Sequence, residues 1–310
     1  MRYKSRCINI ASGEVIGVAE KSSAQGVIGK PLKTKCKIWN DDCLSRMEKL
    51  QDSSVDFLFA DLPYGLTKNP WDSIIPFVPL WHEINRITKR NAAIVMTAKG
   101  MFAAQLMLSN AKDFRYDMVW AKTQATGHLS VNYRPLAAHE LILVFYRQQP
   151  TYNPQITDGH AKKVSLARHK RGCQKNQSPC YGRADVFSDY CSTTRQPRSV
   201  LTFSSDKQRC SIHPTQKPLA LLEYLIKTFT HEGDCVFDPC MGSGTTGVAA
   251  ILNNRRFLGI EKDSAMFELA QRRLEYAART GSDVRTSGPD KLAWQGNASA
   301  SWGASNSLAA

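Results

Sequence analysis

Residues 235–252 read Cys-Val-Phe-Asp-Pro-Cys-Met-Gly-Ser-Gly-Thr-Thr-Gly-Val-Ala-Ala-Ile-Leu, and this stretch decides the fold of the 310-residue chain. Cys235–Asp238 is a short apolar run typical of a buried strand, and residues 246–252 begin a helix. The turn between them contains Gly242 and Gly244, which let the backbone pass close to a ligand. A strand, a glycine-rich turn and a helix in this order are typical of nucleoside-binding α/β proteins.

Strands and helices alternate along the chain on both sides of this stretch. The apolar runs Val55–Ala60, 92–96 and Arg256–Glu261 predict buried parallel strands. Residues 116–120 and 141–146 predict an antiparallel pair at the edge of the sheet. The other predicted elements are a strand at 37–39 and helices at about 42–50, 77–88, 102–109 and 219–229. We therefore expect an α/β protein with a largely parallel sheet.

Composition divides the chain into five segments. Segments 35–149 and 213–280 carry the alternating pattern, and we interpret them as two halves of one domain. Segment 150–212 between them has no sustained period and contains 11 Lys and Arg against 4 Asp and Glu. Segment 1–34 is an N-terminal extension, and segment 281–310 is a Gly-, Ser- and Ala-rich tail that we expect to be disordered.

The net charge of +14 suits a polyanionic partner, because neutralising phosphates dominates non-specific affinity for nucleic acid. Half of this charge, an excess of 7 (11 minus 4), falls in segment 150–212. A polyanion-facing insertion explains this asymmetry, and the alternatives are a disordered basic loop or a merely basic surface. The candidate contacts to such a polyanion in the insertion are Lys162, Lys163, Lys170, Arg171, Arg195 and Arg198.

Other classes of protein are disfavoured by the sequence. No apolar run is long enough for a membrane span, and the N-terminus lacks the apolar block of a secretory signal, so we expect a cytoplasmic protein. The nine cysteines are interpreted as reduced thiols. A zinc site is a weak alternative, since no Cys-x-x-Cys pair occurs in the central cluster of Cys173, Cys180, Cys191 and Cys210.

The tetrapeptide Asp61-Leu62-Pro63-Tyr64 directly follows a predicted buried strand. The Asp61 carboxylate and the Leu62 carbonyl are two acceptors for the hydrogens of an amine, which would favour its pyramidal, nucleophilic geometry. Pro63 stiffens the turn, and Tyr64 offers a flat face for stacking a base. Read alone, the tetrapeptide is also a common turn.

Four acidic residues follow predicted strands. They should meet at the carboxyl ends of the strands, where doubly wound proteins bind ligands. They are Asp42, Asp61, Asp238 and Glu261. Glu261 is well placed to hold the two hydroxyls of a ribose. The glycine-rich turn lacks the Gly-Lys-Ser/Thr of a phosphate loop, which argues against hydrolysis of nucleoside triphosphates.

These segments together resemble the beta subgroup of the amino-methylating DNA methyltransferases. In that subgroup the catalytic tetrapeptide precedes the target-recognition region and the cofactor loop comes last. The resemblance implies a Rossmann-like class I methyltransferase sheet with a circularly permuted motif order and a basic target-recognition insertion. Its four matching segments are Asn40-Asp41-Asp42-Cys43-Leu44, Asp61 to Tyr64, His213-Pro214-Thr215-Gln216-Lys217-Pro218, and Asp238 to Gly247 with Gly259-Ile260-Glu261.

The resemblance implies S-adenosylmethionine as the cofactor and double-stranded DNA as the partner. A flipped base would stack on Tyr64 and be methylated by direct in-line transfer, with no metal. A restriction endonuclease partner and a homodimer are compatible with the family. The implied cofactor residues are Asp238, Gly242, Gly244 and Thr245 beside the amino-acid portion, Lys217 at the methionine end, Glu261 at the ribose and Asp42 near the adenine ring.

Two positions depart from the family pattern, and several functions stay open. Leu62 replaces a usual proline, and Cys240 replaces a usual phenylalanine. A carboxylate at Asp61 favours adenine-N6 as the target, with cytosine-N4 as the alternative. The glutamine methyltransferases of release factors have the reverse motif order and asparagine in place of Asp61. A DNA-binding protein without catalysis is the remaining alternative.

Overall fold

The computed structural model describes residues 15–16, 35–65, 72–166, 189–204 and 216–284. The chain divides into two compact units. The larger consists of Met1–Asn153 together with Ser199–Ala310, and the smaller is Pro154–Arg198. Most of the predicted N-terminal extension and tail, and the residues Lys170, Arg171 and His213 to Thr215, lie outside the described residues.

A mixed sheet of nine strands in the described residues forms the centre of the larger unit. Numbered along the chain, its strands are β1 (Val15–Ile16), β2 (Cys36–Asn40), β3 (Val55–Ala60), β4 (Thr88–Ala98), β5 (Phe114–Thr126), β6 (Ala137–Phe145), β9 (Val200–Phe203), β10 (Cys235–Asp238) and β11 (Arg256–Glu261). The strands lie in the order β1-β2-β11-β10-β3-β4-β6-β5-β9.

The five central strands β2, β11, β10, β3 and β4 are parallel, which confirms the predicted largely parallel sheet. From β3 the chain continues to β4 on one side, and from β10 it continues to β11 on the other. The direction of winding therefore reverses between β3 and β10. In open α/β sheets a ligand crevice lies at such a reversal, outside the carboxyl ends of the strands.

The predicted antiparallel pair corresponds to β5 and β6, which are hydrogen-bonded along most of their length. The prediction that this pair forms the edge of the sheet is wrong, because β9 adds to β5 in parallel. Strand β9 has only four residues and lies in a basic, aperiodic stretch, so the sequence shows no strand pattern there. Segment 150–212 therefore contains one strand of the large sheet as well as the smaller unit.

Six helices in the described residues cover the two faces of this sheet. They are α1 (Cys43–Met47), α2 (Phe77–Ile87), α3 (Gly100–Ser109), α4 (Leu219–Phe229), α5 (Thr245–Leu252) and α6 (Ser264–Thr280). Buried side chains of α1, α2 and α3 pack on one face, and those of α4, α5 and α6 pack on the other. None of these helices is both long and apolar enough to cross a bilayer.

Strand β3 shows why the central strands are continuously apolar. Phe57 and Phe59 belong to the core on the α4 side, whereas Leu58 and Ala60 belong to the core on the α2 side. Successive side chains of a strand point to opposite faces, so both faces must be apolar when both are covered. The strand ends at Ala60, and Asp61 follows it at the crevice.

The smaller unit contains two short strands, β7 (Lys163–Ser165) and β8 (Tyr190–Ser192), paired antiparallel. An isolated bridge between Thr157 and Arg195 extends this pairing. Strand side chains here are mostly exposed or only partly buried, in contrast to the core of the larger unit.

Candidate active site

Asp61 lies directly after β3, at the crevice between β3 and β10, and accepts three side-chain hydrogen bonds. Its Oδ1 accepts from Thr97 Oγ1 at 2.6 Å and from the Tyr64 hydroxyl at 2.9 Å. Its Oδ2 accepts from Lys217 Nζ at 2.6 Å. Thr97 comes from the carboxyl end of the neighbouring strand β4, as the parallel topology requires. Three side chains therefore hold the carboxylate in one orientation.

Lys217 links Asp61 to a second carboxylate on the antiparallel side of the sheet. Lys217 is 7% exposed, and its Nζ lies 3.2 Å from Glu140 Oε2. Glu140 Oε1 accepts from Lys122 Nζ at 2.5 Å. The order Lys122, Glu140, Lys217, Asp61 forms a line of alternating charges, which we call the charge chain. No residue of the charge chain other than Asp61 and Lys217 was predicted from sequence.

The charge chain keeps Lys217 and Glu140 ionised despite their burial. Burial alone would lower the pKa of the Lys217 ammonium, but Asp61, Tyr64 and Glu140 together raise that pKa above its ordinary value. Burial likewise favours the neutral form of Glu140, and the two lysines outweigh it and lower the pKa of this carboxyl. Around neutral pH both groups are therefore charged.

Tyr64 lies against Phe102 of α3, with ring centroids 4.9 Å apart and an interplanar angle of 27°. Lys217 Nζ lies 5.9 Å from the centroid of the same ring. Burial and the charge of Asp61 raise the pKa of the Tyr64 hydroxyl, so it stays protonated and donates to Asp61. Stacking of Tyr64 on a base stays a prediction.

The two middle residues of the tetrapeptide have different environments. Leu62 is 3% exposed and packs in the core on the α2 side, while Pro63 is half-buried at the crevice. A leucine side chain thus fills the position where the family usually has proline. The acceptor role expected here belongs to the backbone carbonyl, which either residue supplies.

The glycine-rich turn joins β10 to α5 beside the tetrapeptide. Gly242 and Gly244 both have positive φ angles, 51° and 78°. A Cβ atom on Gly244 would lie 3.0 Å from the Cβ of Ala270 on α6, whereas one on Gly242 would meet nothing within 4 Å. Gly244 therefore serves the turn and the packing of α6, and Gly242 leaves open space at the crevice.

A fully buried arginine on α6 fixes this turn from behind. Arg273 donates to the Ser243 carbonyl at 2.7 Å and to Thr245 Oγ1 at 3.1 Å, and it pairs with Asp283 at 3.0 Å. The Thr245 hydroxyl, predicted to contact the cofactor, thus accepts a hydrogen bond from the protein. Sequence analysis missed Arg273, since an arginine on a helix is ordinarily assigned to the surface.

Asp238 ends β10 and is 2% exposed. Its carboxylate accepts from Thr246 Oγ1 at 2.6 Å and from the Cys240 backbone N–H at 3.0 Å. Burial raises the pKa of Asp238 to about 7, and the negative charges of Asp61 and Glu261 act in the same direction. Below about pH 7 the carboxyl is therefore largely neutral, and above it the carboxyl carries a buried negative charge.

Glu261 ends β11 and reaches across to the glycine-rich turn. Its Oε2 accepts from the Gly242 N–H at 2.8 Å, and its Oε1 accepts from the Asp263 N–H at 2.8 Å. Burial raises the pKa of this carboxyl. Glu261 thus shapes the turn, and its predicted bonds to ribose hydroxyls would use the remaining lone pairs.

Asp42 caps helix α1 at the end of β2, on the same edge of the sheet. Its Oδ1 accepts from the backbone N–H groups of Leu44 and Ser45, at 3.1 and 3.3 Å. Its Oδ2 lies 3.3 Å from Lys262 Nζ, the residue after Glu261. The four acidic residues predicted to meet therefore all follow parallel strands at one edge of the sheet.

Cys240, the other departure from the family pattern, interacts with the thiol of Cys43 on α1, and this interaction together with burial raises the pKa of Cys240. It also packs on the core on the α2 side. Of the four cysteines proposed as a weak zinc site, only Cys191 lies in the described residues. No metal-binding cluster of His, Cys, Asp and Glu occurs there.

Gln216, next to Lys217, is a buried side chain with unused hydrogen-bonding groups. It is 8% exposed, and neither its amide oxygen nor its amide nitrogen has a hydrogen-bond partner in the described part of the chain. Buried amides are nearly always paired in folded proteins, so this unpaired amide indicates a position for water or a ligand.

The charged residues predicted to bind DNA have different environments in the smaller unit. Lys162, Lys163 and Arg198 are exposed. Arg195 is half-buried and donates to the carbonyls of Ser192, Thr194 and Ala161, so it supports its own loop. Lys170 and Arg171 lie outside the described residues.

Fold and site together define an α/β protein with a glycine-rich turn and an anchored carboxylate at a reversal of the sheet. A profile of the N6/N4 DNA methylase family, described as "DNA methylase", matches residues 55–272. The match spans well over half of the chain and includes both the tetrapeptide and the glycine-rich turn. The chain belongs to this family of amino-methylating DNA methyltransferases.

Characterised relatives cover most of the chain. It is 29% identical over 262 residues to DNA adenine methyltransferase YhdJ of Escherichia coli, covering 79% of this chain and 85% of YhdJ. It is also 29% identical over 272 residues to type II methyltransferase M2.DpnII of Streptococcus pneumoniae, covering 78% and 91%. Both relatives therefore align with the larger part of the protein.

Two solved structures have a similar fold. The PvuII DNA methyltransferase, named as cytosine-N4-specific, superposes with a TM-score of 0.55 at 15% identity, covering 81% of this chain and 95% of that one. The complex of M1.HpyAVI with S-adenosylmethionine superposes with a TM-score of 0.51 at 22% identity, covering 77% and 100%. These likenesses show the α/β methyltransferase fold.

Proposed function

We propose that this protein transfers a methyl group from S-adenosylmethionine to the exocyclic N6 amine of adenine in a specific sequence of double-stranded DNA. The observation that carries the proposal is the anchored Asp61 carboxylate beside the glycine-rich turn. Family membership supports DNA methylation, and the adenine methyltransferase named among the relatives supports adenine.

The tetrapeptide would present the amine. The Asp61 carboxylate and the Leu62 carbonyl accept hydrogen bonds from the amine, which concentrates its lone pair on nitrogen. Pro63 stiffens the turn, and Tyr64 stacks on the base flipped out of the duplex. The nitrogen lone pair would then attack the methyl group that S-adenosylmethionine supplies when bound, the donor would leave as a neutral thioether, and the extra proton on the nitrogen would pass to water.

The crevice suits a cationic nucleoside cofactor. Asp238 is buried and Glu261 is partly buried, the pKa values of both carboxyls are raised, and neither forms an ion pair within the described residues. A cationic ligand would relieve this unfavourable burial of negative charge. When bound, S-adenosylmethionine supplies an electrophilic methyl group. Asp238, Gly242, Gly244 and Thr245 would hold its amino-acid portion, with the unpaired Gln216 amide and Lys217 near its methionine end.

Two further carboxylates complete the proposed cofactor site. Glu261 would bind the ribose hydroxyls and Asp42 would lie near the adenine ring. Glu261 ends β11, which is next to β10, and Asp42 follows β2, which is next to β11, so both lie at the carboxyl ends of parallel strands, as the glycine-rich turn does. The proposal thus assigns the tetrapeptide to the target base and the ends of β2, β10 and β11 to the methyl donor.

The motif order supports membership of the beta subgroup, with the tetrapeptide first, the basic insertion next and the cofactor turn last. In this proposal the smaller unit reads DNA sequence in the major groove. Its exposed Lys162, Lys163 and Arg198 would contact phosphates. Cytosine-N4 methylation is the second candidate, because the family includes enzymes of both specificities.

The product decides between the two bases. We expect DNA treated with the protein and methyl-labelled cofactor to contain label in N6-methyladenine after digestion to nucleosides and mass spectrometry. Label confined to N4-methylcytosine would overturn the adenine assignment and leave the class of reaction intact. Absence of label from every DNA sequence tried, with the cofactor bound, would contradict the proposed function itself.

Neutralising two exposed lysines of the smaller unit tests its role in DNA binding. We expect the double variant Lys162→Gln and Lys163→Gln to bind duplex DNA about tenfold more weakly and to lower the slope of log K against log salt concentration by about 1 to 2. Fluorescence anisotropy over a salt series measures both. Each phosphate contact contributes about 0.9 to that slope, so two lost contacts give this change.

The matched control removes two exposed lysines elsewhere. Lys112 lies just before β5, and Lys227 lies near the end of α4. Both are therefore at the amino ends of the strands, opposite to Asp61. Their double replacement by glutamine removes the same charge, and we expect it to leave the slope within about 0.5 of the unmodified protein. Equal slopes for the two double variants would show that only the total charge of the protein sets the salt dependence, and would contradict a DNA-binding role of the smaller unit.

A further inference from the structure

Lys217 has two carboxylate neighbours, although one would suffice to neutralise it. Its Nζ is 2.6 Å from Asp61 Oδ2 and 3.2 Å from Glu140 Oε2. A buried ammonium needs charged or polar partners wherever it moves, because water is largely excluded from its surroundings. The structure thus offers Lys217 a second site of negative charge within a short movement.

Lys217 occupies an acceptor site of Asp61, the residue proposed to accept hydrogen bonds from the target amine. Of about four lone-pair sites on this carboxylate, Thr97 and Tyr64 occupy two on Oδ1 and Lys217 occupies one on Oδ2. An ammonium on Oδ2 draws electron density from it and makes it a poorer acceptor. One acceptor site on Oδ2 stays open, but Oδ2 polarises an incoming amine at full strength only after Lys217 has released it.

Glu140 provides a prepared site for the released ammonium. Lys122 on β5 holds its Oε1 at 2.5 Å, and the pairing of Trp120 with Glu140 fixes the two strands beside each other. Its Oε2 is buried and lies at ion-pair distance from Lys217 without forming an aligned hydrogen bond. One oxygen of Glu140 is therefore anchored, and the other has an unused acceptor site.

Resting on the proposed function, we infer that Glu140 is a positioning residue that takes over the Lys217 ammonium when the target amine reaches Asp61. Lys217 keeps its proton and exchanges one carboxylate for another, so the count of charges and protons in the charge chain is unchanged. Asp61 Oδ2 is then free to accept from the amine. Glu140 acts on the reaction through Lys217 and touches neither substrate.

The variant Glu140→Gln tests this role, since the amide keeps the size of the side chain and loses its charge. With a neutral partner, Lys217 stays on Asp61. We expect kcat for DNA methylation to fall roughly 10- to 100-fold in steady-state kinetics. The KM for DNA and the Kd for S-adenosylmethionine should stay within about twofold. Glu140→Asp keeps the charge and should recover a substantial part of kcat. A normal kcat for Glu140→Gln overturns the inference.

A double-mutant cycle separates action through Lys217 from a general structural effect. Lys217→Met removes the ammonium and keeps an unbranched side chain of similar length. If Glu140 acts through Lys217, Glu140→Gln should change kcat by less than about threefold in the Lys217→Met background. Fully multiplicative losses in the double variant would overturn the inference, because the two residues would then act independently.

Glu83→Gln is the matched control. Glu83 is a similarly buried carboxylate on α2, ion-paired to Arg86 at 2.7 Å, and it lies outside the site. We expect this variant to lose thermal stability and to keep the kcat of the unmodified protein. An equal kcat loss in both variants overturns the inference. Failure of the unmodified protein to methylate DNA would instead count against the proposed function, on which the inference rests.

Discussion

The variant Asp61→Ala is expected to lose roughly 10³-fold or more in the rate of methyl transfer while binding S-adenosylmethionine within about threefold of the unmodified protein. The carboxylate is one of two proposed acceptors for the target amine, and its loss leaves the amine lone pair delocalised into the ring. Single-turnover methylation and calorimetric titration of the cofactor measure the two quantities.

Local geometry makes this variant interpretable. Without Asp61, the ammonium of Lys217 still has Glu140 at 3.2 Å, so no isolated charge is left in the interior. Thr97 and Tyr64 lose an acceptor, but the Asp61 side chain is 24% exposed, so water can enter the space that its carboxylate leaves and accept from both hydroxyls. We therefore expect the protein to fold and the loss to fall on chemistry.

Asp56→Ala is the control for this experiment. Asp56 is the same residue type on the same strand, at the opposite end of β3, where it pairs with Lys89 at 2.6 Å. Its replacement removes a charge pair from β3 without reaching the crevice, so activity per folded molecule should be unchanged. Methyl transfer by Asp61→Ala within tenfold of the unmodified protein would refute the role assigned to the carboxylate.

The variant Glu261→Ala should bind S-adenosylmethionine about a hundredfold more weakly. Glu261 accepts the N–H groups of Gly242 and Asp263, and it is the proposed ligand of the ribose hydroxyls. Hydrogen bonds to a charged group contribute about 1.5 to 3 kcal/mol each, so losing the ribose contacts and loosening the turn accounts for this factor. Calorimetry measures the affinity.

Two comparisons sharpen the Glu261 experiment. Glu268 is an exposed glutamate on α6, and Glu268→Ala should leave cofactor affinity unchanged. S-adenosylhomocysteine lacks the positive sulfonium and keeps the ribose, so Glu261→Ala should weaken its binding by a similar factor. An affinity within threefold of the unmodified protein would restrict Glu261 to shaping the turn.

The strands that the sequence predicts best are those with both faces buried. β3, β10 and β11 are found with the predicted bounds, because each is a short apolar run that ends at a carboxylate on the crevice. The strand β9 escaped prediction, since its four residues lie in a basic segment and Val200 is exposed at the edge.

The site was only partly predictable for a related reason. Sequence patterns place residues on elements, so Asp61, Asp238 and Glu261 follow from strand ends. Sequence patterns do not predict contacts between distant segments, and Lys217 is 156 residues away in sequence from its partner Asp61. Glu140 and Lys122 lie within β6 and β5, the antiparallel strands of the sheet, where no ligand rule draws attention to a charged residue.

The strand order has a consequence for how the protein is made. β10 and β11 are late in the chain, yet they lie between β2 and β3, which are early. Until they leave the ribosome, β2 and β3 have no partner on their inner edges, and such bare edges invite pairing with other chains. The central sheet is therefore completed only after β10 and β11 have been synthesised, and the same step brings the glycine-rich turn beside Asp61.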